Sequence, residues 1–94
     1  MRIENIRYLL GCYFHQDWDC EASTDEGIMK LFVEKEQPER VMLLKKEFEE
    51  ILNSGEELTE NFLYENNGYY SPSADGLTVL QWFKKLREAL NDAL

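Results

Sequence analysis

Apolar side chains recur at three- and four-residue intervals along almost the whole chain, and the pattern breaks only where Gly, Pro or small polar residues intervene. That spacing lays a stripe along one face of an α-helix, whereas a half-buried strand alternates every second residue. The period therefore excludes a sheet protein and predicts a bundle.

Ile3 to Tyr13 reads as a first helix, with Ile3, Ile6, Leu9 and Leu10 on one face and Gly11 weakening its end. A polar and aromatic loop follows, from Tyr13 to Asp19. Ser23 or Thr24 can cap a second helix whose first turn holds Asp25 and Glu26, where the helix dipole favours negative charge. Ile28, Leu31 and Phe32 point inward from it. Pro38 opens a third helix, since its missing N–H has no partner in a first turn anyway. Val41, Leu44, Phe48, Ile51 and Leu52 continue that helix, and Gly55 ends it as a left-handed cap. A short fourth helix carries Leu58, Phe62 and Leu63.

The stretch from Asn66 to Gly76 is dense in turn residues and reads as a loop. The last helix has the clearest start. Thr78 and Gln81 form a capping box, Leu77 and Trp82 are placed for a hydrophobic staple across it, and Phe83, Leu86 and Leu90 extend the buried stripe. The expected architecture is all-α, a compact bundle of four to five helices forming one domain over residues 1–94. With 44% hydrophobic residues, such a domain needs no metal or disulfide staple.

Charge narrows the partner. The chain carries 19 acidic against 10 basic side chains, a net charge of −9. That argues against direct nucleic-acid binding, which relies on Lys and Arg to neutralise phosphates, and against docking on an anionic membrane. The N-terminus lacks a signal-peptide core and no segment is long and apolar enough to span a bilayer, so a cytoplasmic protein is expected. In that reducing compartment Cys12 and Cys20 read as small buried hydrophobes, although loop length alone leaves a disulfide between them open.

His15, Asp17 and Asp19 are the one group that could suit a divalent metal or acid–base work. The chain has a single His, however, and the nearby acids lack motif spacing. The simpler reading is that the two carboxylates accept loop N–H groups while Phe14 and Trp18 anchor the loop to the core. No catalytic residue, metal, cofactor or small-molecule ligand is expected. The acids themselves cluster. Seven lie between Glu47 and Glu65 with no Lys or Arg among them, and five lie between His15 and Met29, again without a base. They read either as a solvated face that keeps the protein soluble or as a surface for a basic partner.

Several motifs are distinctive together: Leu9-Leu10-Gly11-Cys12-Tyr13-Phe14-His15-Gln16-Asp17-Trp18-Asp19, Pro38-Glu39 at a helix start, Gly68-Tyr69-Tyr70-x-Pro72-x-Ala74-Asp75-Gly76-Leu77-Thr78, then Trp82 and Leu86. In this register, over nearly the whole chain, the sequence resembles the immunity proteins of bacterial contact-dependent growth inhibition systems. The resemblance implies a protein without enzymatic activity. It would bind the C-terminal domain of a cognate toxin that sister cells deliver, commonly a nuclease and often one that attacks RNA. It also favours at least one of Tyr69 and Tyr70 packing into the core with its hydroxyl at the rim, because a motif shared by proteins facing different toxins holds the fold; the alternative is that they are exposed interface anchors.

A nuclease groove is cationic, so clustered carboxylates can occupy it as a phosphate mimic and speed the encounter. The expected toxin-binding residues are Glu49, Glu50, Glu56, Glu57, Glu60 and Glu65, with Asp17, Asp19, Asp25 and Glu26 as the second surface. Acidity alone fits equally an adaptor or antirepressor covering the DNA-facing surface of a transcription regulator.

Overall fold

The computed structural model describes residues 2–94 and consists of five helices: α1 (Glu4–Cys12), α2 (Asp25–Lys35), α3 (Pro38–Asn53), α4 (Glu60–Glu65) and α5 (Val79–Ala93). Single 3₁₀ turns interrupt the connections at Trp18–Cys20 and Pro72–Asp75. The described residues contain no strand, as the helical period predicts.

The start signals act as their chemistry requires. Thr24, rather than Ser23, caps α2, its hydroxyl accepting the Gly27 N–H at 3.0 Å. Thr78 Oγ1 accepts the Gln81 N–H at 3.1 Å while Gln81 Oε1 accepts the Thr78 N–H at 2.9 Å, completing the box at α5. Gly55 follows α3 at φ +75°, the left-handed region where a Cβ is penalised. The fourth helix is shorter than expected. Leu58 lies ahead of it, because Thr59 is extended and the turn closes only with Phe62 N–H donating to Thr59 C=O at 3.0 Å.

α5 is the organising element. It packs most extensively on α2 and next on α3, while α1 packs on α3. Its stripe of Val79, Trp82, Phe83, Leu86 and Leu90 is buried. Phe14, Phe32 and Phe48 complete the bulk of a contiguous core with Ile6, Leu9, Leu10, Ile28, Leu44 and Ile51. Trp82 sits among aromatic rings, edge-on to Phe14 at 5.0 Å and stacked on Tyr70 at 4.6 Å. Trp18 is only half-buried and reaches this cluster from the rim, 5.2 Å from Tyr70.

The chain between α4 and α5 is pinned to the first loop. Tyr69 N–H donates to Phe14 C=O at 2.8 Å, and Gly68 N–H to Leu63 C=O at 2.7 Å. A Cβ on Gly68 would lie 3.1 Å from Leu10 Cδ2 and 3.2 Å from the Leu63 carbonyl oxygen, so this glycine permits a close backbone approach.

Three carboxylates turned inward lock the helices together. Asp25, 4% exposed, accepts the Trp82 indole N–H at 2.9 Å and meets Lys85 Nζ at 3.2 Å. Glu47, on α3, accepts the N–H groups of Asn5 at 2.8 Å and Ile6 at 3.0 Å, together with Asn5 Nδ2 at 2.6 Å. It therefore caps α1 from another helix, where the first-turn N–H groups have no partner within α1 itself. Glu36 accepts the hydroxyls of Tyr8 at 3.0 Å and Tyr13 at 2.5 Å. Arg40 closes that network, 3.4 Å from Glu36 and 4.0 Å above the Tyr8 ring. Donating to Glu36 raises the Tyr8 hydroxyl's pKa, and burial followed by the bond to Glu36 does so for Tyr13.

Burial alone would raise the Asp25 pKa, but the hydrogen bonds from Trp82 and Lys85 outweigh it and hold the carboxyl below its ordinary value. A depressed folded value means that the stabilisation is fully present above the unfolded value of about 3.9 and is lost as pH falls through the lower folded value. Asp25→Ala should cost about 3 kcal/mol in urea unfolding at neutral pH, since it strands the buried indole N–H and the paired Lys85. Asp25→Asn should lose less and flatten the acid limb of stability between about pH 2 and 5. Glu47→Ala should cost about 2 kcal/mol by the same measurement, because two helix N–H groups and the Asn5 amide lose their acceptor.

Candidate binding surface

The acidic stretches separate into inward and outward groups. Glu49 and Glu50 are exposed on the last turns of α3, and Glu56 and Glu57 are exposed beyond the Gly55 turn. Glu65 is exposed at the end of α4 and accepts from Asn61 Nδ2 at 2.8 Å. Glu60 is half-buried, its carboxylate 3.3 Å from the Ser73 N–H. Glu47 belongs to the same run in sequence but is buried, its carboxylate turned into the α1 cap beside Glu50.

In the second stretch Asp17 and Asp19 are exposed on either side of Trp18, and Glu26 is exposed and pairs with Lys85 at 3.3 Å. Asp25 does not belong with them. Expected as a surface acid, it is instead buried, because the indole N–H of Trp82 is sealed in the core and needs an acceptor there. The neighbouring positions 25 and 26 thus part company, one joining two helices and the other facing outward.

The loop around His15 is held differently from the expectation. His15 Nδ1, rather than a carboxylate, accepts the Asp17 N–H, at 3.1 Å, and Nε2 faces Glu21 at 3.4 Å. Among the described residues no three His, Cys, Asp or Glu side chains converge to hold a metal ion. Cys12 and Cys20 are exposed free thiols rather than core residues. Cys12 falls off the buried stripe of α1, and in its 3₁₀ turn it is Trp18, not Cys20, that packs inward.

A cleft opens where the first loop, the start of α2 and residues 69–75 meet. Its walls are Trp18, Tyr69 and Tyr70, and its charged lining is Asp25, Glu26, Asp75 and Lys85. Among the described lining residues one cation therefore faces three carboxylates. Tyr70 stacks on Trp82 and donates its hydroxyl to Asp75; burial and then that bond raise its pKa. Tyr69 is 53% exposed although its backbone is pinned. Aromatic walls beside carboxylates suit the guanidinium or ammonium group of a basic partner. The Glu60–Ser73 contact sets the start of α4 against the turn that carries Asp75, so the two acidic surfaces meet at neighbouring segments. Asp75 is the member that sequence reasoning missed, and Tyr69 takes the exposed position given by the alternative reading of the tyrosine pair. The signal present in the sequence was the Tyr-Tyr pair itself: outside a helix, adjacent side chains tend to face opposite ways.

Comparison with known proteins adds one match. The family described as CdiI immunity protein matches over residues 2–90. No curated protein and no solved structure matches.

The two tyrosines should respond in opposite ways to truncation. Tyr70→Ala should destabilise the fold by about 3 kcal/mol, through loss of its stack on Trp82, whereas Tyr69→Ala should stay within about 0.5 kcal/mol of the parent in thermal unfolding.

Proposed function

Because the chain belongs to the CdiI immunity protein family, with residues 2–90 matched, we propose that it neutralises its cognate toxin by binding a basic toxin domain through its outward carboxylates. The binding is stoichiometric and needs no chemistry from the immunity protein. The toxin domain is a nuclease that acts on RNA, and the encounter takes place in the cytosol. The observation that carries this reading is the exposed group Glu49, Glu50, Glu56 and Glu57 around the end of α3, in a stretch from residue 47 to 65 that contains no Lys or Arg.

The physical argument is complementarity. A nuclease groove is built to hold phosphates, so it presents Lys and Arg at intervals that carboxylates on a rigid support can meet. Complementary fields raise association rates by about 10- to 1000-fold, and salt screens that gain within a Debye length of about 8 Å at physiological ionic strength. Speed has value here, because one catalytic toxin molecule acts many times before it is bound. The cleft walled by Trp18 and Tyr69 supports the same reading from the second surface, offering a seat for a basic side chain at the edge of the contact.

The triple reversal Glu50→Lys, Glu56→Lys, Glu57→Lys leaves Glu60 and its contact to Ser73 intact. It should lower the association rate with the purified toxin domain by about tenfold or more and weaken protection of co-expressing cells, with unchanged helical content. For the unsubstituted protein, stopped-flow association should slow about tenfold between low and physiological salt. A salt-independent rate would remove the acidic surface from the mechanism.

A further inference from the structure

One face of the bundle differs from the acidic remainder. Met42 and Leu43, side by side in the first half of α3, are 55% and 48% exposed. They lie in a shallow groove with Pro38, and the charges that flank it are balanced: Glu39 and Glu49 against Lys45 and Lys46. A basic partner seeking carboxylates gains nothing from such a face, and in a chain of net charge −9 the local neutrality sets it apart.

We propose that this face pairs with the same face of a second copy of the chain, the two α3 helices running antiparallel about a two-fold axis at Met42 and Leu43. The charges select this arrangement. Glu39 precedes Met42 by three residues and Lys46 follows Leu43 by three. An antiparallel crossing centred between Met42 and Leu43 therefore sets Glu39 of each copy against Lys46 of the other, twice over. It also packs Met42 of each copy on Leu43 of the other. A two-fold interface uses one patch on both copies and must be self-complementary in this sense. A parallel arrangement would place like charges together.

Two helices crossing at one patch cover less than the roughly 1,600 Å² of a standard interface, and the net charge on each copy opposes association. The dimer is therefore weak, with a dissociation constant on the order of 10–100 µM. Of the four carboxylates proposed to meet the toxin only Glu49 borders this groove; the crossing leaves Glu50, Glu56 and Glu57 beyond the overlap, so the pairing does not depend on toxin binding.

Sedimentation equilibrium over roughly 5–500 µM tests the proposal. The average mass of the unsubstituted protein should climb towards that of a dimer. Glu39→Lys and Lys46→Glu should each weaken association by about tenfold or more, since each sets two like-charge pairs in contact. An equimolar mixture of the two variants should recover it, because every crossing contact then joins opposite charges. Both residues are exposed, so folding should persist, as circular dichroism would verify. A monomer at the highest concentration, or a mixture that associates no better than its components, would overturn the pairing. So would a Met42→Glu variant that binds the toxin domain more weakly while the unsubstituted chain stays monomeric, an outcome that assigns the face to the toxin instead.

Discussion

Asp25 Oδ2 accepts the Trp82 indole N–H across 57 residues of chain, and that bond fastens α2 to α5, the two helices that pack on each other most extensively. Trp82 is the largest side chain wholly inside the core, and its N–H is a polar group that cannot reach water. The carboxylate that satisfies it comes from the first turn of α2, where negative charge is also favoured by the helix dipole. Lys85, one turn beyond Trp82 on α5, balances the charge from the solvent side. Its own pKa is raised: burial would lower it, but the pairing with Asp25 and Glu26 prevails. Tyr70 stacks on the indole at 4.6 Å and Phe14 meets it edge-on at 5.0 Å, and these two rings also meet each other, 5.8 Å apart. One tryptophan thus ties together the first loop, the start of α2, the 69–75 segment and α5.

The same economy recurs elsewhere. Glu47 closes the open end of α1, and Glu36 holds the hydroxyls of Tyr8 and Tyr13. Each is an acid from one helix that satisfies donors on another, so the bundle gains direction-specific joints in addition to non-directional apolar burial. The acidic excess of the chain is therefore not one population. Part of it is structural cement, and only the remainder is available to attract a partner.

That partition bears on how a protein of this family can be acidic without being indiscriminate. The carboxylates proposed to meet the partner lie around the end of α3 and beside the cleft walled by Trp18 and Tyr69, while the first half of α3 presents Met42 and Leu43 between balanced charges. On the function proposed above, a basic toxin domain would be drawn to the first two regions and would find little at the third. Different surfaces of one small bundle thus have different chemistries, although composition registers only an average.

Most of the architecture was legible in the sequence because its causes are local. Apolar period, the Thr24 and Thr78 caps, Pro38 and Gly55 each act within a turn or two of their own position, so α2, α3 and α5 start or end where those residues dictate. The family resemblance likewise rests on motifs that can be read linearly. What only the tertiary structure decided is which way each polar or amphipathic side chain faces. Asp25 and Glu26 are adjacent and chemically alike, yet only Asp25 lies opposite a buried indole. Glu47 and Glu49 share a run, yet one meets the N–H groups of α1 and the other meets water. Tyr69 and Tyr70 divide in the same way, and both cysteines fall outside a core they would suit. In each case the choice depends on a partner far away in the chain, and local spacing carries no information about where that partner will be.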